Sequence, residues 1–175
     1  MPIPRVAIIR GPGLSKWEMQ IYEPLIKWFD IRGIGSTNGI NDCGNIAFPV
    51  THLPLKFGLF NRLPKFIPIM NHVLGDTQWL ENFNTAVKGL DLLHSVELRN
   101  GYTLQSINAK KCGLVKAVTL TVYENIPFIG DEYSNRFQIK KQVIPDIDHF
   151  FAVNEIAKKS LMMEGVDESK ISLVP

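Results

Sequence analysis

Six residues, Ala117 to Val122 (AVTLTV), constrain this chain more than any other stretch. They are apolar or β-branched, uncharged, and free of glycine and proline. Such a run suits a strand buried on both faces, as in a parallel sheet covered by helices. It stops abruptly at Tyr123, Glu124 and Asn125, just ahead of Pro127. Ligand chemistry in open α/β sheets sits outside the carboxyl ends of the strands, so these three residues are the first candidates for a site. The competing reading is that Glu124 and Asn125 simply start a turn.

The rest of the chain repeats the alternation. Arg5 to Arg10 (RVAIIR) reads as a first strand, followed by the tight turn Gly11-Pro12-Gly13. Ser15 and Glu18 fit a capping box, and Trp17, Ile21, Leu25 and Trp28 form an apolar stripe at helical spacing that Pro24 interrupts. Strand, glycine turn and helix begin a Rossmann-like unit, in which the glycines let a ligand approach the backbone. The later glycine of the dinucleotide fingerprint is missing, and the second strand lacks a terminal acidic residue for a ribose, which disfavours a dehydrogenase.

Further strands are expected at Phe29–Ile34, at Asn45–Leu53 with Pro49 marking a sheet edge, at Leu90–Val96, at Asp148–Val153 and at Lys170–Val174. Helices are expected over Asp76–Lys88, over Thr103–Lys111, over Glu132–Val143 behind an Asp131 cap, and from an Asn154 cap to about Glu164, with Gly165 closing the last. Gly35 to Gly44 reads as a loop. The pattern predicts a doubly wound, mostly parallel sheet with helices on both faces. His94 and Glu97 then join Tyr123 and Glu124 at one edge.

Length and composition fit one domain: 175 residues with 45% hydrophobic and 21% charged content make a soluble globular chain. A net charge of +2 gives no argument for nucleic acid. Cys43 and Cys112 have neither metal-type spacing nor a disulfide framework. With no cationic leader and no long uncharged run, a cytoplasmic protein with free thiols is the economical expectation.

Leu53 to His72 (LPLKFGLFNRLPKFIPIMNH) is the most unusual segment. It intersperses Lys56, Arg62 and Lys65 among aromatic and aliphatic residues, contains no acid, and is broken by prolines. Such a segment can lie in a membrane interface or line a groove for an apolar-tailed ligand. Equally, its apolar residues can pack under the sheet edge while the cations reach water.

The order VAIIRGPG, DLLHSVE, TLTVYENIP, DHFFAVNEIAKKSL and MEGVDESKISLVP resembles the N-terminal domain of GT-B glycosyltransferases, specifically retaining family 4 (group 1). The resemblance runs through essentially the whole chain and is most specific over its last forty or so residues. It implies one acceptor-side domain over 1–175, and a C-terminal partner domain that holds most nucleotide-sugar contacts. By position it places Gly11 and Gly13 in the loop that approaches the donor phosphate, although Pro12 separates glycines that the family usually has adjacent. It places His94 and Glu97 on the acceptor side. Where the family often carries a histidine at the end of the central strand, this chain has Tyr123 and Glu124. The expected catalytic group is thus Glu124, Tyr123 and His94, with Glu97, Asn125, Lys56, Arg62 and Lys65 toward a saccharide or lipid-linked acceptor. No metal or cofactor is expected beyond the donor. The segment 53–72 matches the family's variable acceptor region, which in some members meets membrane lipid. A stand-alone carbohydrate- or nucleotide-binding module stays open as the alternative.

Overall fold

A computed structural model describes residues 2–37, 44–56, 76–132 and 134–174. Among them run seven parallel strands in the order β3-β2-β1-β4-β5-β6-β7. These are β1 (Arg5–Gly11), β2 (Asp30–Ser36), β3 (Val50–Leu53), β4 (Leu92–Val96), β5 (Ala117–Val122), β6 (His149–Ala152) and β7 (Ile171–Leu173). The helices are α1 (Lys16–Met19), α2 (Phe83–Val87), α3 (Gly101–Lys111), α4 (Ser134–Val143) and α5 (Glu155–Met163). The expected α/β doubly wound architecture is the one found. Pro49 immediately precedes β3, which is indeed the edge strand, where a missing N–H costs no ladder bond.

Strand order reverses between β1 and β4, so right-handed connections carry the two halves of the chain to opposite faces. Packing follows that rule. Val6, Ile8 and Ile31 meet Leu14, Met19 and Phe48 on one face. Ala7, Ile9, Leu93, Val118 and Leu120 meet Phe83, Val87, Tyr102, Ile107, Ile139 and Leu161 on the other. Helix α3 is buried nearly all round, and its polar residues are satisfied internally. Thr103 shares a hydrogen bond of 2.7 Å with Ser95, and Gln105 pairs with both backbone groups of Leu80 at 2.9 and 2.8 Å.

Several local expectations change. The helix after the glycine turn lasts only from Lys16 to Met19 and continues as a 3-10 helix over Gln20–Lys27, with Pro24 inside it. Three residues per turn rotate a stripe spaced for 3.6 away from the sheet. Trp17, Ile21, Leu25 and Trp28 are accordingly exposed, and Met19 is the residue buried instead. The capping box is half formed: Ser15 Oγ accepts the Glu18 N–H at 3.4 Å, but the Glu18 carboxylate turns to Arg10. Of Asp76–Lys88 only Phe83–Val87 is α-helical, because Leu80 bridges to Leu55 and Asn82 sits at φ 56. Asp131 forms an ion pair with Lys140. Asn154 does cap its helix, accepting the Ala157 N–H at 2.8 Å, and Gly165 ends it at φ 92.

A consequence of this topology is a face left open over the second half of the sheet. An apolar groove of about 630 Å³ lies there, walled by Tyr22 and Leu25 of the 3-10 helix and floored by His94, Thr119, Thr121 and Phe151. Among the described residues no helix is long and apolar enough to cross a membrane.

Candidate functional site

The reversal between β1 and β4 leaves a crevice at the carboxyl ends of the strands, where the neighbouring connections diverge. Arg10 and Gly11 end β1, Glu97 and Arg99 follow β4, and Tyr123 and Glu124 follow β5. Each charged residue is delivered there because the strand interior is uncharged and an unpaired charge cannot be buried further in.

Glu97 is the centre of the group. Its backbone is held at φ 64, a left-handed conformation costly for a residue with a side chain and concentrated at functional sites. Its N–H donates to Thr121 O at 3.0 Å, and its Oε1 accepts the Tyr123 N–H at 3.0 Å. Oε2 is buried and has no hydrogen-bond partner among the described residues. Burial, with the carboxylate of Glu124 nearby, pushes the Glu97 carboxyl up to about 7, against the pull of the Tyr123 N–H, Arg10 and Arg99.

Glu124 stands 2.9 Å from Arg99 Nε through its Oε1. The guanidinium N–H does not point at that oxygen, so Oε1, buried as it is, keeps lone pairs open. Burial also raises the Glu124 carboxyl, and Arg99 and Lys140 oppose the rise. Of the two carboxyl groups in this crevice, Glu124 is ion-paired and Glu97, near neutrality, can accept and release a proton at ordinary pH.

Arg10 and Tyr102 make the opposite wall. Arg10 clasps Glu18 with Nε at 2.9 Å from Oε2 and Nη2 at 2.7 Å from Oε1, while Nη1 reaches Tyr102 Oη at 3.5 Å. This pairing keeps the buried Arg10 guanidinium charged, above its ordinary range. The Tyr102 ring packs on Gly11, where a Cβ would lie 2.8 Å from two ring carbons, and Gly11 has φ +53. The open space that Gly11 provides is therefore used by Tyr102. Beside it, Arg10 lies over Gly13, 3.4 Å from where a Cβ would stand. Asp76 occupies the start of α3 by accepting the Gly101 N–H, and burial pushes its carboxyl up to about 6.

The residues expected from the sequence thus divide. Glu97, Tyr123 and Glu124 come together, with Gly11 and Gly13 beside them. Asn125 is exposed on the following loop. His94 is not at the edge: it is the third residue of β4, pairs in register with Ile8 and Thr119, and faces the groove. Both ring nitrogens are engaged, by Thr119 Oγ1 at 2.8 Å and Thr121 Oγ1 at 2.9 Å, and burial pulls its pKa down to about 4. The alternation of side chains along β4 explains the displacement, since β4 runs on through Ser95 and Val96. Lys56 follows the edge strand β3, with β2 and β1 between it and β4. Arg62 and Lys65 lie outside the described residues.

Arg10, Arg99, Asp76 and Tyr102 were not singled out in the sequence, and Glu18 was read only as a capping-box residue. Arg10 carried a readable signal, a charge at the end of the apolar run Val6 to Ile9. Tyr102 and Asp76 carried none, because their roles depend on contacts across long separations.

No protein-family model and no curated protein sequence matches the chain. Solved structures do match. Anabaena Alr3699/HepE in complex with UDP and glucose superposes with a TM-score of 0.62 at 9% identity, over 98% of this chain and 44% of that one. The UDP-GlcNAc 2-epimerase of Methanocaldococcus jannaschii gives 0.56 at 17%, over 97% and 45%. The lipopolysaccharide outer core galactosyltransferase WaaB gives 0.50 at 16%, over 96% and 45%. These likenesses establish the Rossmann-like half of a GT-B fold. The chain spans less than half the length of each structure it matches.

Proposed function

We propose that this chain is the N-terminal, acceptor-side half of a retaining family 4 glycosyltransferase that moves a sugar from a nucleotide-sugar donor to a saccharide or lipid-linked acceptor. The observation that carries the reading is the convergence of Glu97, Glu124, Arg99 and Arg10 at the switch-point crevice. It is supported by a fold whose solved relatives are described in complex with UDP, UDP-glucose or UDP-GlcNAc.

In this reading an acceptor hydroxyl donates to Glu97 Oε2 or Glu124 Oε1, the buried carboxylate oxygens of the crevice with open lone pairs. The exposed Tyr123 hydroxyl offers a further contact to a sugar. The anomeric carbon passes through an oxocarbenium-like state that the carboxylates stabilise as positive charge develops, while the nucleoside diphosphate departs. The N-termini of α3 and α5 are already occupied by Asp76 and Asn154, so the diphosphate draws its stabilisation chiefly from the partner domain. This half alone is then close to inert in transfer. No metal is invoked.

The test is amide NMR on the chain during titration with UDP, UDP-glucose and simple saccharides. Saturable shifts at Gly11, Glu97 and Glu124 are expected. Saturable shifts confined to the sheet-face groove, or none with any of these compounds, overturn the reading.

One observation favours a second reading, epimerisation of a nucleotide sugar. A carboxyl near neutrality, Glu97, close to a second buried carboxyl suits removal of a proton from one face of a sugar carbon and its return to the other. Solvent deuterium entering UDP-GlcNAc in the presence of the protein would decide for it.

A further inference from the structure

Lys140 is among the most deeply buried side chains of the molecule, at 2% exposure, although it is a lysine. Its Nζ lies 2.8 Å from Asp131 Oδ1 and is hydrogen-bonded to Glu164 Oε1. The same Glu164 oxygen accepts the Phe128 N–H at 2.6 Å, and Phe128 O accepts the Asp131 N–H at 3.1 Å. Lys140 belongs to α4, Glu164 caps the end of α5, and Phe128 and Asp131 belong to the loop that begins with Tyr123 and Glu124. The loop is bent to meet them: Phe128 sits at φ 61, and Gly130 at φ 83 lies against Arg136, 3.1 Å from where its Cβ would be.

Stability alone gives no reason for this arrangement. A buried ion cluster usually breaks even against apolar residues of the same volume, because desolvation costs about what the pairing returns. Holding a specific loop conformation is a role that an apolar replacement could not fill.

We infer that Lys140 is a positioning residue: by joining Asp131 to Glu164 it clamps the 123–131 loop onto α4 and α5, and so holds Glu124 in the crevice. The meaning of this for catalysis rests on the functional reading above, whereas the clamp itself does not. The charged groups facing Glu124 are Arg99 beyond β4, Arg136 and Lys140 of α4, and Glu164 at the end of α5, while Glu97 lies across the crevice. Releasing the loop and merely deleting one positive charge therefore have opposite effects on Glu124. Release carries the carboxyl into water and lowers its titration midpoint. Loss of charge with the loop in place raises it.

The experiment compares Lys140→Met, Lys140→Arg and wild type by side-chain carboxyl NMR titration of Glu124 and amide hydrogen exchange. Lys140→Met is expected to lower the Glu124 midpoint and speed exchange at Phe128 at least tenfold, with β5 and α5 amides unchanged. Lys140→Arg is expected to retain much of the wild-type behaviour. A raised midpoint with unchanged exchange overturns the clamp, as does acceleration spread over β5 and α5. If Lys140→Met does not fold, Glu164→Gln weakens the same clamp while keeping an acceptor for Phe128. It should give the same two local changes in smaller measure, and their absence overturns the inference. The readouts need no ligand. Failure of UDP, UDP-glucose and simple saccharides alike to bind wild type would sink the functional reading and leave the clamp standing, and a negative exchange result would do the reverse.

Discussion

The Tyr123 N–H donates to Glu97 Oε1 at 3.0 Å, joining the end of β5 to the end of β4 across the crevice. Glutamine at position 97 can accept the same bond but cannot ionise. The Glu97 carboxyl is raised from 4.5 to about 7 in the folded chain, so ionising it opposes folding. Wild-type stability from this group is present below about pH 4.5 and falls as pH rises toward 7. Glu97→Gln is expected to gain on wild type over that interval in urea melts at pH 4.5 and pH 8. A constant difference would show that Glu97 ionises normally.

His94 has the opposite sign. It is buried neutral with a pKa near 4 against 6.5 unfolded, so the unfolded chain takes up a proton first as pH falls. Stability is lost as pH falls from 6.5 toward 4, by up to roughly 3 kcal/mol for the full shift. His94→Gln should flatten this acid limb in the same melts while leaving UDP titrations unchanged, since His94 faces the groove rather than the crevice.

Gly11 and Tyr102 are coupled by contact. Gly11→Ala places a methyl 2.8 Å from the Tyr102 ring at φ +53. Left-handed strain of roughly 1–2 kcal/mol adds to overpacking of about 1–3 kcal/mol. In a double-mutant cycle, Gly11→Ala together with Tyr102→Ala is expected to cost less than the sum of the single changes, because the ring that the methyl strikes is gone. Strict additivity would show that the Tyr102 ring is not what requires glycine at position 11.

The cations of the 53–72 segment lend themselves to a direct test. If the segment meets an anionic membrane, vesicles rich in anionic lipid should sediment the protein at low salt. Lys56→Glu, Arg62→Glu and Lys65→Glu together should abolish this, each cation near the surface contributing about 1 kcal/mol. Equal sedimentation of wild type and the triple variant would assign the segment to packing.

Patterns local in the chain were enough to define the architecture. AVTLTV became β5, an interior strand of the sheet, Pro49 marked the edge strand, and Asn154 and Gly165 bracketed a helix, because strand burial, a missing N–H and helix caps act over a few neighbouring residues. The strand-end position of Glu97, Tyr123 and Glu124 followed from the same rule. Local spacing could not foresee that Gln20 to Lys27 winds as a 3-10 helix and leaves Ile21 and Trp28 exposed, nor that β4 runs two residues past His94. The wiring of the crevice was likewise decided only in three dimensions. Tyr102 fills the space that Gly11 leaves and Asp76 occupies the start of α3, through contacts between residues 91 and 25 apart, and Lys140 fixes the loop bearing Glu124 by joining Asp131, 9 residues away, to Glu164, 24 away. Such contacts arise when a right-handed parallel sheet brings distant strand ends to one edge, and no spacing along the chain encodes which side chain will meet which.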